Sequence, residues 1–228
     1  MLARIVLVVL TGLALSSCKS DESREVSAPP PGGESPPVSR PAARDDRPAI
    51  VAFGDSLSEG HGVGDGESFP DRLQEMLDEA GYQYRVVNAG ISGDTTSGGV
   101  SRAGTITRME PAMVILELGG NDGLRGLPIE TTRANLDEMI RVLKDSGATV
   151  VLAGMTLPPN YGPDYIGQFE KVYDDLAKEY DLPLIPFLLE GVGGNRDLMQ
   201  NDGIHPNAEG HRITARNVMR VIAPLLKK

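Results

Sequence analysis

The sequence predicts an α/β fold, a three-layer α/β/α sandwich built on a central five-stranded parallel sheet. Three observations predict it. Short runs of Val, Ile and Leu recur between residues 49 and 228 without polar alternation, as strands covered on both faces require. Segments with apolar residues three and four apart lie between those runs, and strand–helix alternation implies parallel pairing through right-handed crossovers. Glycine-rich polar clusters follow the runs, at the carboxyl ends of strands where such sheets place their chemistry.

The elements follow in order. Residues 49–53 (Ala-Ile-Val-Ala-Phe) form the first strand, ended by Gly54. Over residues 68–80, Phe69, Leu73, Met76, Leu77 and Ala80 share one helical face, with Gly81 as the stop. Residues 84–88 and 113–118 are the second and third strands, and residues 98–109 a weaker helix between them. Thr131 or Thr132 is positioned to cap a helix carrying Leu136, Met139, Ile140 and Leu143. Residues 149–152 are the fourth strand, and Phe169, Val172, Tyr173, Leu176 and Tyr180 are the stripe of the next helix. Residues 184–187 are the fifth strand. A last helix begins near Asn207, with Ile213, Val218, Val221 and Ile222 inward and Lys227 and Lys228 near its negative end.

Composition narrows the function classes. Of 228 residues 40% are hydrophobic and 24% charged, which suits a folded domain. The formal net charge of -10 argues against a nucleic-acid partner, which would need a basic face. One cysteine and three histidines rule out a disulfide framework and a Cys-rich metal site, and no dinucleotide or phosphate-loop fingerprint occurs. No H-E-x-x-H occurs either, which argues against a zincin.

The amino terminus reads as an address. Residues 1–18 carry one charge, Arg4, then an apolar run too short for a bilayer of roughly 30 Å, the pattern of a secretory signal. Leu15-Ser16-Ser17-Cys18 resembles a bacterial lipobox, whose cysteine becomes the lipidated mature terminus, and Cys18 is the chain's single cysteine. Residues 19–48 hold seven prolines and almost no large apolar side chains, so they read as a disordered linker reaching about 30 Å as a coil. The expected organisation is a signal over 1–18, a linker over 19–48 and a catalytic domain over 49–228. Tethering through Cys18 implies a membrane-anchored, envelope protein facing the periplasm. Lys19 favours the outer membrane. A monomer is expected.

Four polar clusters follow predicted strand ends or precede the last helix. In Gly54-Asp55-Ser56-Leu57, a serine on a tight turn exposes its hydroxyl at a helix start, although such a tripeptide is also an ordinary cap. In Asn88-Ala89-Gly90-Ile91-Ser92-Gly93-Asp94-Thr95, glycines allow backbone N–H groups to approach a ligand, while Asp94 or Thr95 caps the next helix. In Gly119-Gly120-Asn121-Asp122-Gly123, the Asn121 carboxamide can donate to a developing oxyanion. In Asp202-Gly203-Ile204-His205-Pro206-Asn207, a carboxylate three residues before an imidazole can accept from Nδ1–H and leave Nε2 free to take a proton. His61 and His211 read as cap or surface residues.

These blocks, in this order and spacing, resemble the SGNH (GDSL) hydrolase family over nearly all of residues 49–228. Glu117-Leu118-Gly119-Gly120-Asn121-Asp122-Gly123-Leu124-Arg125-Gly126 and Leu157-Pro158-Pro159-Asn160-Tyr161-Gly162 are similar to its thioesterase I, lysophospholipase L1 and arylesterase branch. The resemblance implies the flavodoxin-like fold of that family, with Ser56 as nucleophile, His205 as base and Asp202 orienting it. It implies an oxyanion hole of the Ser56 and Gly93 N–H groups with the Asn121 side chain. The substrates implied are aryl or short-to-medium acyl esters, lysophospholipids and acyl thioesters, and no metal or cofactor is implied. Leu124, Leu127, Leu157, Pro158 and Tyr161 are expected to wall an acyl groove, or else to be staples of their loops. Two other readings use the same fold: a carbohydrate O-acetyl esterase and a non-catalytic acyl-binding lipoprotein.

Overall fold

The five apolar runs pair as one parallel sheet in the order β2-β1-β3-β4-β5. The structure is a computed structural model and describes residues 45–228; the signal, Cys18 and most of the linker lie outside them. The strands are β1 (Ala49–Gly54), β2 (Arg85–Asn88), β3 (Met113–Glu117), β4 (Thr149–Ala153) and β5 (Leu184–Ile185). Every residue of β1 and β3 is buried, which is why both read as unbroken apolar runs, while the edge strand β2 is only half-buried. β5 is shorter than the run over 184–187 predicts, because Pro186 has no N–H to extend the ladder.

Helices α1 (Ser56–Glu59), α2 (Phe69–Glu79), α3 (Thr96–Thr107), α4 (Gly120–Leu124), α5 (Ile129–Asp145), α6 (Pro163–Tyr180) and α7 (Ala208–Ile222) complete the chain. α2 packs with α7 to form one outer layer, and α3, α5 and α6 form the other. The predicted stripes face inward: Phe69, Leu73 and Leu77 of α2, Leu136, Met139, Ile140 and Leu143 of α5, and Phe169, Val172, Tyr173 and Leu176 of α6 are buried. Each such side chain contributes about 1.5–3 kcal/mol by leaving water. On α7, Val218 and Ile222 are buried, and Ile213 and Val221 are half-buried.

Helix starts show which polar residues hold the loops. Ser68 and Asp71 form a reciprocal capping box on α2. Thr95 caps α3 and Asn207 caps α7. α5 departs from expectation. It starts after Pro128 with no side-chain cap, so Thr131 and Thr132 lie inside its first turn. Thr132 is buried there, its hydroxyl 3.5 Å from the Asp122 carboxylate. His211 is neither exposed nor idle: its Nδ1 accepts from the Phe69 N–H at 3.1 Å, and burial lowers its pKa to about 4, keeping the ring neutral.

Tyr173 ties a helix to the loop that carries Asn121. Its ring packs edge-on against Phe169, and its hydroxyl donates to the Leu118 carbonyl at 3.0 Å. Tyr173→Phe should leave that carbonyl unpaired and lower stability by about 1–3 kcal/mol in urea unfolding. An unchanged midpoint would remove the hydroxyl from the account.

Candidate active site

Four strand ends and the loop before α7 meet at one edge of the sheet. β1 ends at Gly54, opposite Glu117 of β3. A Cβ at Gly54 would stand 2.1 Å from the Ser58 hydroxyl and 2.2 Å from Glu117 Oε2, so only glycine lets the two strands and α1 meet there. Asp55 caps α1, accepting from the Leu57 N–H at 3.0 Å, and the turn presents Ser56 as the first helical residue.

The loop carrying Asp202 and His205 is pinned on itself. Met199 and Pro206 form an antiparallel bridge, and Gln200 N–H donates to the His205 carbonyl at 2.8 Å. Asp202 Oδ1 accepts from the Ile204 and His205 N–H groups at 2.9 and 3.0 Å, and Oδ2 lies 2.7 Å from His205 Nδ1. On the other side of the ring, His205 Nε2 is 2.9 Å from Ser56 Oγ. With Nδ1–H donated to the carboxylate, Nε2 accepts from the serine hydroxyl. Burial alone would raise the Asp202 pKa, but the imidazole and the two backbone donors outweigh it and bring it to about 2. Asp202 is therefore an anion at every pH at which the imidazole can act as a base.

The donor groups lie across the serine. Neither the Ser56 nor the Gly93 N–H has a protein acceptor among the described residues. Gly93 takes a positive φ of 77°, and its carbonyl accepts from Arg125 at 2.9 Å, which ties this loop to α4. Asn121 Nδ2 donates to Asp55 Oδ2 and to the Asp94 carbonyl, both at 2.9 Å. Both of its hydrogens thus have protein acceptors.

A cavity of about 470 Å³ opens beside Ser56 and His205. Of the five residues expected to wall an acyl groove, Leu124, Leu157 and Pro158 line it, and Leu127 and Tyr161 do not. The Tyr161 hydroxyl instead donates to the Leu124 carbonyl at 2.7 Å, and Tyr165 reaches the Leu127 carbonyl at 3.4 Å, so the two positions brace the loop from outside. Met155, Phe187, Leu189, Met199 and Ile204 are among the other residues that line it. Met155, Phe187, Leu189 and Met199 escaped the sequence reading because they read as strand continuations or loop residues, and Ile204 because the Asp202 and His205 signals flank it.

Three supporting residues were also missed. Arg102 of α3 donates to the Asp94 carboxylate at 2.7 Å, the Ala89 carbonyl at 2.7 Å and the Gly54 carbonyl at 2.6 Å, with its guanidinium over the Phe53 ring. It joins the ends of β1 and β2 to the loop holding Gly93. His61 packs its ring 4.6 Å from that of His205. Glu117 is fully buried beneath Asp55. Its signal was legible, as a lone acid inside an apolar strand. Among the described residues no group of three or more His, Cys, Asp or Glu side chains is arranged to hold a metal ion.

The chain is similar to known proteins over most of its described length. The GDSL-like lipase/acylhydrolase family matches residues 52–213. Esterase TesA of Pseudomonas aeruginosa is 45% identical over 178 residues, covering 78% of this chain and 89% of that protein. Thioesterase 1/protease 1/lysophospholipase L1 of Escherichia coli K12 is 38% identical, covering 82% of this chain and 88% of that one. A crystal structure of TesA superposes with a TM-score of 0.76 at 44% identity, covering 78% of this chain and 99% of the other. With the family matched over most of the described residues, and relatives named as esterases along most of their length, the chain belongs to the GDSL-like lipase/acylhydrolase family and is a carboxylic ester hydrolase.

Proposed function

We propose that the enzyme works as a serine acyl hydrolase with Ser56, His205 and Asp202 as its triad. The reading is carried by one observation, the continuous hydrogen-bonded chain from Ser56 Oγ through the imidazole to the Asp202 carboxylate, at 2.9 and 2.7 Å. Ser56 Oγ attacks the ester carbonyl while Nε2 takes its proton. The oxyanion that forms accepts from the Ser56 and Gly93 N–H groups and from the Asn121 amide, whose hydrogen bond to the Asp94 carbonyl is shared with it. His205 then protonates the departing alcohol or thiol. Water activated by the same nitrogen releases the acid and restores Ser56.

The cavity supplies the acyl side. Leu124, Leu157, Pro158, Met155 and Phe187 make its wall largely apolar, and about 470 Å³ suits a short-to-medium acyl chain or an aryl group. We place the enzyme in the cell envelope, held by a lipid on Cys18. There acyl-coenzyme A is scarce, so aryl esters, short acyl esters and lysophospholipids are favoured over thioesters as natural substrates.

Ser56→Ala should lower kcat by about 10⁶-fold on a nitrophenyl ester, and a fluorophosphonate probe should label Ser56 in the wild-type chain alone. Retention of more than a few per cent of activity in a clean preparation would overturn the nucleophile. Leu157 is buried and also faces the cavity. Leu157→Ala should move the optimum of a nitrophenyl ester series toward longer acyl chains. An unchanged profile would take Leu157 out of the acyl wall.

A further inference from the structure

Glu117 is a fully buried acid that the mechanism does not use, set opposite Gly54 by the β1–β3 register. Its Oε2 accepts from the Asp55 N–H at 3.2 Å and the Ser58 hydroxyl at 2.7 Å. Its Oε1 has no hydrogen-bond partner among the described residues. Arg102, which donates to the neighbouring Gly54 carbonyl, is bound to the Asp94 carboxylate rather than to Glu117. A carboxylate removed from water with one bare oxygen and no paired cation is strongly disfavoured.

Asp55 is different. Its Oδ1 accepts from the Leu57 N–H and its Oδ2 from the Asn121 amide, so a charge there is met by donors. The Asp55 backbone N–H sits on Glu117 Oε2, and the Asp55 charge raises the Glu117 pKa. Adjacent buried acids hold a proton between them, and the distribution of donors assigns it to Glu117. We propose that Glu117 is a protonated positioning residue, whose carboxyl O–H is given to the Asp55 carboxylate so that Asp55 in turn holds the Asn121 amide at the oxyanion site. The proposal rests on the oxyanion role given above to Asn121.

The shared proton also sets the charge beneath the reaction. With Glu117 neutral the pair carries one negative charge, spread over several donors. With Glu117 ionised it would carry two, close to where the ester oxygen becomes an anion. Burial first, and the Asp55 charge second, hold the Glu117 pKa well above 4.5, and burial raises Asp55 to about 6. The other ionisable groups around the pair are Tyr173 of α6, Asp122 of α4 and His205. The Tyr173 phenol is itself kept neutral by burial. A raised carboxyl pKa means that the folded chain keeps a proton the unfolded chain has lost, so stability falls as pH rises above the ordinary carboxyl range. Activity falls as pH rises through the Glu117 pKa.

The test uses Glu117→Gln, an amide with the shape of the neutral acid and a donor for Asp55, beside Glu117→Ala. E117Q should keep kcat within about threefold of wild type at neutral pH, and E117A should lower it by about 10–100-fold with little change in KM. The alkaline decline in kcat due to Glu117 should be absent in E117Q. The infrared carbonyl stretch of a protonated carboxyl should be present in wild type at neutral pH and absent in E117Q, a readout that needs no activity and no E117A protein. The proposal is overturned if that band is the same in both proteins, or if E117Q loses as much kcat as E117A. Asn121→Ala separates the two readings. An unchanged kcat there overturns the oxyanion role of Asn121 and with it the positioning role of Glu117. An impaired N121A together with the same carboxyl band in wild type and E117Q overturns the Glu117 proposal alone.

Discussion

Parallel pairing of β1 with β3 sets Gly54 against Glu117, and the groups that surround the reacting serine take their places from that contact. The two strands run buried along their whole length, so their ends cannot slide without moving the core. Asp55 and Ser56 follow from one strand, and Asn121 from the turn after the other. The Asp55–Asn121 hydrogen bond then joins the nucleophile turn to the carboxamide turn directly. A side chain at Gly54 would force the strands apart at the point where they must be closest.

Around this contact the site is held mostly by charge meeting backbone dipoles rather than by exposed ion pairs, which contribute little in water. Arg102 spends its guanidinium on two carbonyls and one carboxylate. Asp202 spends one oxygen on two backbone N–H groups and the other on an imidazole. Such contacts fix loops that have little apolar surface of their own. They also leave free the two backbone donors, Ser56 and Gly93, that a reaction of this kind needs.

Much of this was legible in the sequence because the signals are short-range and strong. Unbroken apolar runs identified the buried strands, three-and-four spacing identified α2, α5 and α6, and glycine-rich polar clusters marked the strand ends. Ser56, Asp202 and His205 stood out as reactive types in turn sequences, and the fold brings them together. The α5 start was missed because Pro128 sets an extended entry without any side-chain cap. The cavity wall was half missed because lining residues such as Phe187 and Met199 owe their place to long-range packing, which no local pattern encodes. Leu127 and Tyr161 sit in the right loops but brace them from outside, a difference of side-chain direction that spacing in an irregular segment does not specify.

The bridge between Met199 and Pro206 closes the turn carrying Asp202 and His205 into a hairpin. The hydrogen bonds that hold His205 on its carboxylate come from within that hairpin, whereas the serine belongs to the sheet. Warming that loosens the hairpin from the body of the molecule would therefore part acid–base pair from nucleophile while leaving each intact. Inactivation by that route would begin before the core melts and would reverse on cooling.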